Sequence, residues 1–364
     1  MKRFGLSVLV LLLVVGAATV STGCKKKKPV VIKDGKQVQV ADDGQVEPEP
    51  IYWPLTGLES DDATAVTRRP ISVKVENSPQ AQPQTGLNSA DVLYESMIEG
   101  AESRFNAIYQ STIPDEVGPV RSVRHTDLWI VPQFQTVLFY SGGNSEVRGK
   151  VKAAKLDNYN QTTGSKVFHR VDWRVTPHNL YLKLNKVYAF LEKKGVATTV
   201  DTPTTLSFDS AATTYTADGA LGGFPGRAVK SVNVHYYQHA KWSWNAERKV
   251  WTRTTAGKKH LDKATGEQLW VDNVVLMYAN YTTAQKKDPA GNPTYDTDMG
   301  GSGKAVLFRN GYAYKCTWKA ERKQAPRLYD ENGRELTLQA GRTCFEVVPK
   351  KMLKVKISYR DTGE

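Results

Sequence analysis

The chain has 364 residues, 40% of them hydrophobic and 24% charged, and carries 50 Lys plus Arg against 37 Asp plus Glu for a net charge of +13. That length suits roughly two domains with a sizeable core. Beyond the N-terminus no apolar run is long enough to span a bilayer, which excludes a polytopic membrane protein, and three cysteines are too few for a disulfide scaffold.

Residues 1–23 read as a signal peptide: Lys2 and Arg3 precede an apolar stretch, Phe4 to Val20, that is short for a spanning helix. Ser21-Thr22-Gly23-Cys24 then looks like a bacterial lipobox, which would leave Cys24 as a lipid-bearing (palmitate-type) N-terminus. A plain transmembrane anchor is the alternative. Without residues 1–23 the charge is +11, and residues 24–69 hold eight bases and eight acids. Lys25 to Lys28 would lie against anionic headgroups. The acidic, proline-containing remainder of 24–69 reads as a disordered tether. An exported protein does not normally meet genomic DNA, so the basic charge points to a membrane, a wall polymer or an acidic partner.

Strand and helix signals interleave over 70–200. Ile71–Asn77 alternates, and Ala90–Ile98 and Phe105–Gln110 read as two strands joined through Glu99–Glu102. A helix is expected from Pro119 to about Val131, a strand at Val137–Tyr140, and helices at Val147–Leu156 and Lys183–Lys194. Residues 201–227 read as a linker or long loop. Over 228–350 strands dominate, with candidates at Val232–Tyr237, Lys241–Trp244, Val250–Thr254, Val274–Tyr281, Lys304–Phe308, Ala313–Trp318, Arg327–Tyr329 and Cys344–Val348. Asn310-Gly311 and Asn332-Gly333 give hairpin turns, and 351–364 reads as a tail. The expected fold is α+β: a mixed α/β sheet domain followed by a smaller, mostly antiparallel β-rich domain.

HExxH, GxSxG, SxxK and CxxC are absent from the chain, so the usual cues for zincin, hydrolase, penicillin-binding and redox chemistry are missing. Gly300-Gly301-Ser302-Gly303-Lys304 mimics a P-loop end but lacks its Ser/Thr. Cys316 and Cys344 are 28 positions apart in two expected strands. A disulfide would form in an oxidising compartment if those strands are neighbours; two buried thiols are the alternative. The five tryptophans between Trp242 and Trp318 could face a ligand or pack a sheet core.

The polar residues concentrate in two places. Arg121 and Arg124 sit at the expected helix start, where backbone N–H groups and forked donors suit an anion; pairing with Glu76, Glu95 or Glu99 is the alternative. His169, Arg174, His178 and Asn179 follow within a short stretch, either as a ligand pocket with the arginines or as a cap for the next helix. Ser141-Gly142-Gly143-Asn144 after a buried strand is a weaker ligand signal. Neither a metal nor a cofactor is indicated.

The segments RPISVKVENSPQAQPQTGLNSADVLYESMIEGAESRFNAIYQS, GPVRSVRH, LFYSGG, RVTPHNLY, NVVLMYANY, GSGKAVLFRNG and LQAGRTCFEVVP resemble those of the YerB-like bacterial lipoproteins, over about 70–350. That resemblance implies an α+β N-terminal domain and a β-rich C-terminal domain outside the cytoplasmic membrane, without an established activity. Cys344 stands where Trp is expected in that family. Three functions follow as expectations: a non-catalytic, membrane-anchored lipoprotein binding an anionic envelope ligand, wall polymer or protein; a wall-acting enzyme using His178 with Glu95 or Glu99; or a structural scaffold.

Overall fold

The structure, a computed structural model, describes residues 30–33, 36–39 and 49–360, apart from 211–212, 214–215, 217–218 and 289. The expected signal peptide, Cys24 and Lys25–Lys28 lie outside the described residues. No helix among the described residues is long and apolar enough to cross a membrane.

Within residues 1–49, Val30–Lys33 pairs antiparallel with Lys36–Gln39. Residues 50–364 form a second unit, so residues 50–69 of the stretch expected as a disordered tether over 24–69 belong to it. Ile51–Tyr52 pairs with Glu59–Ser60, and Leu55, 1% exposed, joins the core beside Leu206 and Leu338. Arg69 N–H donates to the Thr198 carbonyl and Val200 N–H to that of Thr67, tying this stretch to residues beyond the last helix. The apolar Ile51, Trp53 and Leu55 interrupt an otherwise acidic segment, and burying Leu55 fully and the other two in part outweighs its low hydrophobicity.

The first strands are β1 (Ile71–Glu76), β2 (Val92–Met97) and β3 (Ser103–Tyr109), followed by α1 (Asp127–Gln133), β4 (Val137–Tyr140), α2 (Ser145–Ala153), β5 (Asn158–Asn160) and α3 (Val187–Lys193). Next come β6 (Arg227–Val234), β7 (Ala240–Asn245), β8 (Val250–Thr255), β9 (Asn273–Lys287), β10 (Pro293–Asp298), β11 (Gly301–Arg309), β12 (Tyr312–Glu321), β13 (Gln324–Tyr329), β14 (Thr343–Pro349) and β15 (Val355–Tyr359). Each strand expected in 228–350 is present, and Asn310 and Gly311 both take positive φ at the β11–β12 hairpin. β15 falls in the expected tail, and β10 comes without a sequence expectation.

The architecture is mostly β. One mixed sheet runs β5–β4–β1–β3–β2–β14–β9–β11–β12–β13. β14, from the end of the chain, pairs in parallel with both β2 and β9, so strands from both halves share one sheet. Both faces are buried. Val73, Leu93, Leu276 and Cys344 point to one side, where α3 and a second antiparallel sheet, β15–β6–β7–β8, pack. Tyr94, Val275 and Phe345 point to the other, with Ile130 and Phe134 from α1. Trp242, Trp251 and Trp318 are core residues at 2% exposure or less.

Three expectations are corrected here. The helix expected from Pro119 starts only at Asp127, because residues 119–123 are extended: Arg121 N–H donates to the Lys74 carbonyl and Ser141 N–H to that of Arg121. Gly118 is needed there, since a Cβ would sit 2.6 Å from the Tyr181 ring. His178 and Asn179 do not cap the next helix, because Leu180–Leu182 is a strand paired with Phe168–Arg170. Cys316 and Cys344 are free thiols. β9 and β11 lie between their strands, a separation of about 14 Å at ordinary strand spacing, twice what a disulfide spans.

Candidate functional site

Strand alternation builds a polar row next to an apolar one. Phe105, Ala107 and Tyr109 enter the core, leaving Arg104 and Asn106 on the opposite face of β3, beside Ser72, Lys74 and Glu76 of β1. Lys74 is wholly buried and satisfied by Asp127 at 2.9 Å, and Asn106 donates to the same carboxylate oxygen. Burial pushes the Lys74 ammonium below its ordinary range and Asp127 counters it. Asp127 also accepts the Arg124 backbone N–H at 2.7 Å, which fixes the stretch carrying the arginines.

Arg104, Arg121 and Arg124 line one cleft of about 430 Å³, with Glu99, Glu102, Tyr237, Asp288 and Asn292 around it. An adjoining depression of about 370 Å³ shares Arg124, Ser122 and Asp288 with it and adds Lys287 and Asn144, whose side chain caps α2 by accepting the Val147 N–H. Arg124 is bound by Glu99 through Nη2 at 2.7 Å and Nε at 3.1 Å. Arg121 lies 3.2 Å from Glu76, whose carboxylate also takes Ser78 Oγ–H at 2.9 Å and faces His178 Nδ1 at 3.0 Å.

Arg104 differs from both. It is 8% exposed, makes no salt bridge with any described residue, and gives only an Nη1 bond to the Ser122 carbonyl at 3.3 Å, with Nε left without a partner. Burial, then repulsion by Arg124 and Arg121, holds its guanidinium at about 9, with Glu99 and Glu76 offsetting only part. The cleft thus contains one buried guanidinium that no described carboxylate binds directly, which suits a ligand with a negative group.

Of the six residues expected to form a pocket, the structure brings together Arg121 and Arg124. His178 lies behind them on Glu76, and with Arg174 borders a separate depression of about 410 Å³. Arg174 ties two loop carbonyls, Gln80 and Pro83. His169 pairs with Glu116 at 3.1 Å, and Asn179 accepts from Arg170 at 2.5 Å. The acid/base pairing of His178 with Glu95 or Glu99 does not form: Glu95 binds Arg253 and Glu99 binds Arg124. Arg104 is not among the residues expected from the sequence, although the β3 alternation that places Phe105 inward marks it as an inward-facing polar residue of the other face.

Two family models match: the Protein of unknown function (DUF3048) N-terminal domain over residues 55–197 and the DUF3048 C-terminal domain over residues 231–344. The chain belongs to this family of YerB-like proteins. It is 28% identical over 303 residues, 81% of this chain and 86% of the relative, to a Bacillus subtilis (strain 168) protein named "Putative lipoprotein YerB". The crystal structure of YerB protein from Bacillus subtilis superposes with a TM-score of 0.72 at 26% identity, covering 84% of this chain and 99% of that one.

Proposed function

We propose that the chain is an extracytoplasmic lipoprotein, held to a membrane through Cys24, that binds an anionic ligand in the arginine cleft without transforming it. The observation that carries the reading is Arg104, a buried guanidinium with two arginines beside it and no carboxylate of its own. A ligand carboxylate or phosphate would supply the missing charge and accept the unused donors. Glu99 and Glu76 are occupied in holding Arg124 and Arg121 in place, and the other acids of the cleft, Glu102 and Asp288, make no salt bridge with Arg104, which favours recognition over proton transfer. The kinship with a protein named as a lipoprotein supports the anchor.

Calorimetric titration with inorganic phosphate as the probe tests the cleft. Arg104→Gln removes a charged hydrogen-bond donor, so binding should weaken by at least about tenfold; unchanged affinity refutes the assignment. Cys24→Ser should move the protein from the membrane fraction to the soluble one, and continued membrane association contradicts the anchor.

A further inference from the structure

The second sheet carries a surface of different chemistry. Antiparallel register sets Lys356 of β15, Asn233 of β6, Lys241 of β7, Thr254 of β8 and Lys259 side by side on one face. Val232, Trp242 and Arg253 point inward from the same strands. All three lysines are exposed, and at ordinary strand spacing consecutive ones are about 10 Å apart. One residue pair further along, β6 and β15 end in two adjoining loops: His235 N–H donates to the Lys354 carbonyl, and the His235 and His239 rings lie 4.5 Å apart. His235 is held below its ordinary value by burial, then by His239, Lys354 and Lys356.

These loops also present two of the large exposed apolar side chains of the protein, Tyr237 at 68% and Met352 at 47%. Lys350, Lys351 and Lys354 flank Met352, and all are exposed. Residues 228–244 and 347–360 contain no Asp or Glu. A row of lysines on segments that themselves carry no acid, ending in an exposed Tyr and Met, differs from a pocket for a small anion. Lysine heads reach headgroup phosphates while an amphipathic ring and a flexible thioether enter the interface.

The geometry points to this tip, loops 235–239 and 350–354 with the adjoining lysine row, as a docking surface for an anionic phospholipid bilayer. Charge complementarity selects the occupant, and the apolar pair selects a bilayer over a soluble polyanion. Tyr237 also borders the arginine cleft, so docking would set the mouth of the cleft beside the headgroups.

The test uses the exported chain from residue 24 with Cys24→Ser, so that no attached lipid contributes, and co-sedimentation with phosphatidylglycerol–phosphatidylcholine vesicles. Replacing Lys350, Lys351 and Lys354 by Gln should lower partitioning by about 100-fold. Tyr237→Ser with Met352→Ser should remove the binding that survives high salt. The charge-matched variant with Lys315, Lys319 and Lys323 changed to Gln, exposed residues of another region, should bind as the parent does. Equal losses from both lysine sets, or soluble polyphosphate competing fully while the Tyr237/Met352 variant binds normally, would overturn the assignment. Phosphate binding by the cleft, read through Arg104→Gln, is a separate result and can stand or fall independently.

Discussion

Glu346→Gln should make the protein more stable as pH rises, relative to the parent. Glu346 of β14 and Glu95 of β2 are register partners on parallel strands, and both are 0% exposed. Among the described residues a single cation binds them: Arg253 Nη2 holds Glu95 at 2.7 and 2.8 Å. Glu346 instead accepts from the Trp242 indole N–H at 2.7 Å and the Tyr236 hydroxyl at 3.0 Å. Burial first, and Glu95 second, push its carboxyl well above the ordinary carboxylate range, so it keeps a proton and donates it to Glu95. The unfolded chain releases that proton near the ordinary value while the native state retains it. The native state therefore binds more protons, and stability falls by about 1.4 kcal/mol per pH unit from the unfolded value up to the raised folded one. In the amide variant the N–H₂ group takes over donation to Glu95 and the slope from this group disappears. Urea unfolding of both proteins at several pH values from 5 to 8 measures it. The stability difference should move in favour of Gln at about 1.4 kcal/mol per unit while Glu346 remains protonated. A pH-independent difference would refute the shared-proton account.

Leu55→Ala should cost about 2–5 kcal/mol in equilibrium unfolding, because Leu55 is buried in the main core; a neutral effect would return this segment to the tether. Thiol titration of the denatured, unreduced chain should find both Cys316 and Cys344 reactive, matching two thiols three strands apart. Finding neither would require a different strand order.

The strands of 228–350 were legible because their alternation and Asn-Gly turns are local signals, and Trp242 and Trp251 sit where alternation puts them. The stretch after Pro119 was not. Val120 and Val123 have helical spacing, yet Val120 packs with β1 and Val123 with Leu138 and Val147. That separation arises from hydrogen bonds to Lys74 and Gly142, distant in sequence. Strand order decided the two cysteines, and hydrophobic pattern carries no strand order. The same limit applies to the site. Arg121 and Arg124 were readable as a close pair, whereas their convergence with Arg104 depends on β1 lying between β3 and the 119–124 segment, and Asp288 and Asn292 reach the cleft only through the long β9–β10 hairpin.

The central claim is that Arg104 is held uncompensated for an incoming anion, and melting of the parent and Arg104→Gln with and without inorganic phosphate tests it most directly. A residue poised for a ligand costs stability in the free protein. Arg104→Gln should therefore melt higher than the parent without phosphate and respond to phosphate only at about tenfold or more higher concentration, while the parent's melting temperature rises with phosphate concentration. A variant that melts lower and retains the full phosphate response would contradict the claim and make Arg104 a structural residue.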